Sequence, residues 1–474
     1  MKVLYAVSEC KPFSASGGLG DVAGSLPQAL RKRLVGCRVV MPLYDGIKQE
    51  YKDEMKFITH ISVPVAWRRQ YCGIFELRRN GVVYYFLDNQ YYFKREGLYG
   101  HYDDAERFAF FSRAVLEIIP FIDFKPDIIH CNDWQTALVP VYYSAIYAAM
   151  PGYENIKTVF TIHNIQYQGK YGNELLEDVI GLSENDRSLL EYDGCINFMK
   201  GAIETANKVT TVSPSYAKEI LDPWYSHGLD TILNERAWKL QGILNGISYD
   251  MYDPASDKDI YAHYSADKPG NKAKNKAMMQ KEFGLEVKPG VPVVAMVSRL
   301  VAHKGFDLVK AVLEEIICTS DAQFIILGTG EWQFESFFKD IASRYPGRVS
   351  LTLAFRPDLA SKIYAGSDIF LMPSKSEPCG LSQMIALRYG SIPVVRETGG
   401  LRDTVFDSGL GGGNGFTFPT YNAHDMMHAL RRAFEGYADH DGWQILVKRA
   451  MSCDCSWAKS ANEYIKMYKE LIKG

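Results

Sequence analysis

The hydrophobic positions of the chain form two series of short apolar runs with longer helical patterns between them. The runs are rich in β-branched and aromatic residues and do not alternate with polar ones, which is typical of strands covered on both faces. Such runs separated by helical segments predict βαβ units and a mostly parallel sheet in each half. The first series is 3–7, 39–41, 84–87, 127–130, 159–163 and 209–212, and the second is 293–297, 324–327, 369–372 and 392–395.

The chain has 474 residues, and single hydrophobic cores stop growing at roughly 250–300 residues, so two domains are expected. Between the two series lies Gly242–Ile247, followed by a stretch rich in Asp, Lys, Pro and Ser. We place the boundary here, with domains 1–245 and 246–456 and a hinge near 245–255. A further helix over 457–474 is predicted from apolar residues at helical spacing.

Composition narrows the classes of partner. The formal net charge is −3, which gives no positive field for nucleic acid or for an anionic membrane, so a small ligand is favoured. No signal-like stretch follows Met1, and no run reaches the roughly 18 apolar residues of a membrane span. The nine cysteines form no CxxC pair, which favours a reducing compartment and no metal site. We expect a cytoplasmic protein.

A glycine-rich loop follows the first predicted strand. Gly17 and Gly18 let the backbone approach a ligand closely, and the helix after Asp21 offers unpaired N–H groups, so the loop is a candidate phosphate site. The spacing also resembles a dinucleotide pattern, but the next strand ends at Pro42 without a ribose-binding acid, which argues against NAD. A purely structural turn is the alternative.

Three segments of the second half follow predicted strands, where ligands of α/β sheets bind. Arg299 and Lys304 could both face a diphosphate. Glu377 lies in the segment PSKSEPCGL and could accept hydrogen bonds from sugar hydroxyls, with N–H groups of the turn facing phosphate. The segment ETGGLR (397–402) repeats the strand, glycine and helix order. An ordinary surface pair is the alternative for Arg299 and Lys304, and a helix-starting turn is the alternative for 397–402.

Two strand ends of the first half carry polar residues. Asp133 follows the run 127–130, and His163 ends the run 159–163. Neither has metal-ligand spacing, and a single strand-end histidine is more often a hydrogen-bonding group than a ligand. No nucleophile elbow, Walker A sequence or zinc-protease motif is present.

Taken together, SGGLGDV, HCNDWQ, FTIHN, GILNGI, SRLVAHKG and PSKSEPCGLSQ resemble the bacterial glycogen synthase and starch synthase family, in order along essentially the whole chain. The resemblance implies an α/β protein with two Rossmann-like domains facing across a deep cleft, the B-type glycosyltransferase fold, and a final helix that returns to the first domain. It implies transfer of glucose from ADP-glucose to the nonreducing end of an α-1,4-glucan, with retention and without metal or other cofactor. Partners would be ADP-glucose and glycogen or malto-oligosaccharide.

The resemblance also implies residue roles. Arg299 and Lys304 would bind the diphosphate, Glu377 would hold glucose hydroxyls, and His163 would lie at the reacting centre. The remaining expected substrate-binding residues are Gly17, Gly18, Asp21, Asp133, Asn164, Asn245, Phe355 (on adenine), Cys379, Gly380, Leu381, and the backbone donors Thr398, Gly399 and Gly400.

The sequence departs from the family pattern at three places. Ala15 stands where the family has lysine, Ser248 where it has aspartate, and Lys375-Ser376 where it has Arg-Phe. Weaker donor binding, a substitute cation, a UDP-glucose donor, another acceptor, and a noncatalytic glucan-binding role stay open. Because the family has no evident nucleophile, front-side attack assisted by the leaving phosphate is favoured over double displacement. Oligomeric state is left open.

Overall fold

The computed structural model of the protein describes residues 1–473, with only the main chain of Leu410. The chain divides into two compact units. Unit 1 is Met1–Asn245 together with the chain from Trp457 onward, and unit 2 is Gly246–Ser456. Gly474, the last position of the expected closing helix, lies outside the described residues.

Unit 1 is built on a nine-stranded sheet of order β12-β11-β7-β6-β1-β2-β5-β4-β3. The strands from β12 to β5 are parallel, and β4 and β3 extend the sheet antiparallel. A small second sheet has the order β8-β10-β9. The strands are β1 Lys2–Ala6, β2 Gly36–Pro42, β3 Lys56–Val65, β4 Arg68–Arg79, β5 Val82–Asp88, β6 Ile128–Asn132, β7 Lys157–Ile162, β8 Lys170–Tyr171, β9 Glu191–Tyr192, β10 Cys195–Asn197, β11 Lys208–Thr211 and β12 Leu240–Gly242.

The helices of unit 1 connect these strands. The first begins at Gly18, before the start that the sequence analysis placed after Asp21, because the glycines themselves form its first turn. The helices are α1 Gly18–Arg31, α2 Gln49–Asp53, α3 Gln90–Phe93, α4 Asp104–Glu117, α5 Leu138–Tyr142, α6 Arg187–Leu190, α7 Phe198–Thr205, α8 Pro214–Glu219 and α9 Asp230–Glu235.

Unit 2 is built on six parallel strands of order β15-β14-β13-β16-β17-β18. The strands are β13 Val293–Val297, β14 Gln323–Leu327, β15 Val349–Thr352, β16 Ile369–Met372, β17 Ile392–Arg396 and β18 Phe416–Phe418. The helices are α10 Asn271–Glu282, α11 Phe306–Thr319, α12 Trp332–Arg344, α13 Pro357–Gly366, α14 Ser382–Arg388, α15 Gly399–Thr404, α16 Ala423–Ala438 and α17 His440–Met451.

All ten predicted strands are present, each within three residues of its expected bounds, and the prediction of a mostly parallel sheet in each half is confirmed. The strands at the centre of both sheets are buried along nearly their whole length, which explains their unbroken apolar character. Among the strands that the structure describes, the sequence analysis missed eight, which are β3, β4, β8, β9, β10, β12, β15 and β18. In β3 and β4 exposed and buried residues are mixed.

The closing helix, α18 Trp457–Lys473, packs on α1 within unit 1. Its Tyr464, Met467 and Tyr468 are buried. The hydroxyl of Tyr468 lies 2.6 Å from Nδ1 of the buried His130 on β6. The polar tip of the tyrosine is therefore satisfied inside the core. Among the described residues, no helix is long and apolar enough to cross a lipid bilayer.

Candidate functional site

The glycine loop of unit 1 is held by a carboxylate of the protein itself. Glu9, which is 2% exposed, accepts hydrogen bonds from the N–H and hydroxyl of Ser16 at 2.7 and 2.6 Å and from the N–H of Gly20 at 3.1 Å. The N–H groups of Ser16 and Gly20 are therefore already bonded, and fewer N–H groups of the loop are open to a phosphate than the sequence suggests. The N–H groups of Gly17 and Gly18 donate to no described residue.

A cation lies beside this loop although Ala15 replaces the lysine of the family pattern. Lys11 Nζ is 2.7 Å from Oδ1 of Asp21, and the main-chain N–H of Lys11 donates to the carbonyl of Gly20 at 3.0 Å. Ala15 packs against Gly20 at the start of α1. The contact is so close that a Cβ added to Gly20 would lie 2.4 Å from the Cβ of Ala15. Lys11 is therefore a candidate for the substitute cation that the sequence analysis left open.

Asp133, His163 and Asn164 come together at the carboxyl ends of β6 and β7. Asp133 has a φ of 55°, uncommon for a residue with a side chain. Its Oδ1 accepts the main-chain N–H of His163 at 2.7 Å and that of Asn164 at 3.4 Å. His163 Nε2 lies 2.9 Å from Oδ1 of Asn132. Asp133 and His163 were predicted from their strand ends and Asn164 was expected from the family resemblance, whereas Asn132 was not singled out.

Burial determines the protonation states of His130, Asp133 and His163. It lowers the pKa of His163 to about 3 and, with the nearby His163, lowers that of His130 to about 3, so both imidazoles are neutral. Burial raises the pKa of Asp133 to about 7, while the N–H groups of His163 and Asn164 pull it down and the charge of Glu9 raises it. Asp133 therefore titrates near neutral pH.

Replacing Asp133 with asparagine is expected to make stability less dependent on pH. The carboxyl of an unfolded chain titrates near 3.8, so Asp133 stabilises the fold fully below that pH, and this contribution is lost as the pH rises towards 7. The variant lacks this loss. Its melting temperature relative to the natural protein should therefore be higher at about pH 8 than at about pH 5, as measured by calorimetry. The buried, neutral His163 also reduces the stability of the fold as the pH falls below 6.5, but this loss is the same in both proteins. A pH-independent difference would contradict the prediction.

A groove of about 440 Å³ lies in unit 1, and most of its lining residues closely follow Asp133 or Asn164 in sequence. Its aromatic lining includes Trp134 and Tyr171, whose ring centroids are 6.1 Å apart, and Tyr167, which is 52% exposed. Gln166, Gln168, Gly169, Lys170 and His227 complete the lining. Flat aromatic faces with a few convergent polar groups are typical of sugar sites. The sequence analysis did not identify this groove.

In unit 2, Lys304 and Glu377 form a largely buried ion pair. Lys304 Nζ lies 2.6 Å from Glu377 Oε2, which also accepts the hydroxyl of Ser374 at 3.1 Å. Arg299, at the end of the neighbouring β13, is exposed, and its guanidinium makes no hydrogen bond or ion pair with the residues described. The sequence-predicted cations and carboxylate therefore lie at adjacent strand ends of β13 and β16.

The turn that carries Glu377 is fixed from two sides. The guanidinium of Arg396, at the end of β17, donates to the carbonyl oxygens of Ser374 and Lys375. The N–H of Gly400 donates to the carbonyl of Glu377 at 3.1 Å. Arg396 was missed by the sequence analysis, although its position at a strand end was a usable signal.

Two of the expected phosphate donors have backbone acceptors in this structure. The N–H of Gly400 donates to the carbonyl of Glu377, and the N–H of Thr398 donates to the carbonyl of Arg396 at 2.9 Å. Their role at a phosphate stays a prediction. Gly399 sits between them with a φ of 45°.

The other expected residues differ in exposure. In unit 2, Cys379 is buried, Gly380 has a φ of 71° beside Leu381, and Phe355 is 87% exposed. Asn245 of unit 1 is buried, and its Oδ1 has no partner among the described residues. A buried amide oxygen without a partner is costly. Across residues 1–473 no cluster of three or more His, Cys, Asp or Glu residues could hold a metal ion.

Comparison with known proteins finds similarity along the whole length of the chain. The model of the starch synthase catalytic domain matches residues 2–235, and that of glycosyl transferases group 1 matches residues 279–444. The glycogen synthase of Geobacillus thermodenitrificans is 51% identical over 100% of this chain and 98% of its own. That of Clostridioides difficile is 49% identical over 99% of this chain and 100% of its own.

Two solved structures support the fold. The catalytic domain of starch synthase IV from Arabidopsis thaliana, bound to ADP and acarbose, has a TM-score of 0.93 and 35% identity, covering 100% of this chain and 99% of its own. Sucrose-phosphate synthase from Thermosynechococcus elongatus, at 16% identity and a TM-score of 0.61 over 100% of both chains, shares the fold alone. The expected B-type glycosyltransferase fold is confirmed, and the chain belongs to the glycogen synthase and starch synthase family of glycosyltransferases.

Proposed function

We propose that the protein transfers glucose from ADP-glucose to the nonreducing end of an α-1,4-glucan, with retention of the anomeric configuration. The observation that carries the proposal is the Lys304–Glu377 pair beside the exposed Arg299. It combines two cations for a diphosphate with a carboxylate that can accept sugar hydroxyls. The structure of a relative with ADP and acarbose supports the same ligand classes.

In the proposed reaction, unit 2 binds the donor. Arg299 and Lys304 stabilise the negative charge that grows on the diphosphate as the bond from glucose C1 to the phosphate oxygen breaks. Glu377 orients the glucose through its hydroxyls. The glucan hydroxyl attacks C1 from the same face, a new C1–O bond forms, and the hydroxyl proton passes to the departing phosphate oxygen. Retention then needs no enzyme nucleophile.

Incubation with radiolabelled ADP-glucose and glycogen tests the proposal. Label is expected in the polymer, and proton NMR of the new linkage should show the α anomer. Absence of label at every donor concentration would overturn the function. The ratio of kcat/KM for ADP-glucose to that for UDP-glucose measures donor preference, and a higher value for UDP-glucose would replace ADP-glucose as the proposed donor.

We also propose that the transfer needs no metal ion or other cofactor, because Arg299 and Lys304 supply the positive charge that a metal would otherwise give. Excess EDTA in the assay is therefore expected to leave kcat unchanged. A loss of activity that added Mg²⁺ or Mn²⁺ restores would contradict this.

The groove of unit 1 is the proposed acceptor site. Replacing Tyr167 with alanine removes a half-exposed ring on which a glucose unit can stack, and should raise KM for a malto-oligosaccharide about tenfold. KM for ADP-glucose should stay unchanged. Tyr102→Ala, which removes an exposed tyrosine of unit 1 outside the groove, is the control. Equal effects of the two variants would place the acceptor elsewhere.

A further inference from the structure

The side chain of Asn132 connects the end of β6 with β1 and with His163 after β7. Asn132 is fully buried at the carboxyl end of β6. Its Oδ1 lies 2.9 Å from the hydroxyl of Tyr5 on β1 and 2.9 Å from Nε2 of His163 after β7. Its Nδ2 donates to the carbonyl of Ala6 at 3.0 Å and to that of His130 at 3.4 Å. Every polar atom of the amide therefore has a partner.

The neighbours fix which way the amide points. Carbonyl oxygens only accept hydrogen bonds, so the end of Asn132 that faces Ala6 and His130 has to be the NH₂ group. A flipped amide would set its oxygen against both carbonyl oxygens in a buried site, where unpaired acceptors are costly. The amide oxygen therefore faces Tyr5 and His163.

This orientation determines the tautomer of His163. An amide oxygen cannot donate, so the hydrogen between Oδ1 and Nε2 has to belong to the imidazole. Burial keeps the ring neutral by lowering the pKa of His163 to about 3. A neutral ring with hydrogen on Nε2 carries a lone pair on Nδ1. No described residue donates a hydrogen bond to that nitrogen.

We propose that Asn132 is a positioning residue that holds His163 as the neutral Nε2–H tautomer and so makes Nδ1 an acceptor for a sugar hydroxyl. The identity of the ligand rests on the proposed function, whereas the tautomer does not. With the opposite tautomer the ring would present an N–H, and the hydroxyl would have to donate its proton elsewhere. The residue acts through His163 and does not itself touch the reacting atoms.

Nitrogen-15 NMR of the full-length protein labelled in histidine tests the tautomer without substrate. The ring signals that vanish in His163→Gln should show a protonated Nε2 and an unprotonated Nδ1, unchanged between about pH 6 and pH 8. A protonated Nδ1, or a charged ring in this range, would overturn the proposal. An Nε2–H ring in a protein that transfers no glucose would uphold the positioning role and overturn only the proposed function.

A double-mutant cycle tests whether Asn132 acts through His163. Asn132→Leu should lower kcat about 10-fold to 100-fold, with little change in KM for ADP-glucose, because the ring loses its fixed tautomer. In a His163→Ala background the same change should alter kcat less than about twofold. Equal losses in both backgrounds would overturn the proposal. The NMR result on the natural protein decides the question if the leucine variant does not fold.

Discussion

Replacing Lys304 with methionine is expected to lower kcat for glucosyl transfer about 10²–10³-fold, the usual effect of removing one preorganised group at a developing charge. Lys304 is held in place before any ligand binds, by its 2.6 Å contact with Glu377. The charge therefore needs no reorganisation during the reaction. Initial rates at saturating ADP-glucose measure the effect. Lys310→Met, which removes an exposed lysine of α11, is the matched control and should retain full activity.

The same variant separates catalysis from stability. Methionine leaves Glu377 buried with Ser374 as its remaining side-chain partner, and the loss of one member of a largely buried ion pair should lower the free energy of unfolding by about 2 kcal/mol. Lys304→Met/Glu377→Gln removes both charges and should recover most of that stability without recovering activity. If the double variant regained activity, the proposed role of Lys304 at the diphosphate would be wrong.

Replacing Gly399 with alanine is the second change with a large expected effect. An added Cβ would lie 2.0 Å from the carbonyl oxygen of Glu377, a backbone atom, and the φ of 45° is strained for alanine. Relief requires the two turns to separate, which breaks the bond from Gly400 to Glu377. Because a shift of about 1 Å can cost 100-fold in rate, kcat/KM for ADP-glucose should fall at least about 10²-fold.

Gly290→Ala is the control for this prediction, because Gly290 lies in unit 2 with no atom within 4 Å of an added Cβ. It should leave both kcat/KM and the melting temperature unchanged. Near-normal activity of Gly399→Ala would show that the two turns can move apart without disturbing Glu377. Circular dichroism on both variants checks that the loss is local.

The strands of this protein were predictable because their environment is simple. A parallel strand covered on both faces, such as β13, is apolar throughout, and this pattern survives in the sequence alone. The antiparallel strands β3 and β4 have a mixture of exposed and buried positions that resembles loop or helix. Their pairing depends on neighbours in the sheet, which the local pattern does not contain.

The candidate site was predictable where a strand end carries it. Asp133, His163 and Glu377 follow apolar runs, and the carboxyl ends of parallel strands meet at one edge. Glu9 follows β1 and Arg396 is the last residue of β17, but their roles depend on tertiary contacts. Arg396 binds a carbonyl 22 residues earlier in the chain. Sequence spacing therefore indicated the region, and only the fold distinguishes residues that face a ligand from residues that hold the loops.

The position of α18 has a consequence for the order in which the chain matures on the ribosome. Unit 2 is continuous in sequence and is complete before Trp457 is synthesised. Unit 1 at that moment lacks Tyr464 and Tyr468, so Nδ1 of His130 lacks its partner, the Tyr468 hydroxyl, and part of the α1 surface is uncovered. The half that is translated first is therefore the last to finish its core, and the nascent protein exposes apolar surface to chaperones until the helix arrives.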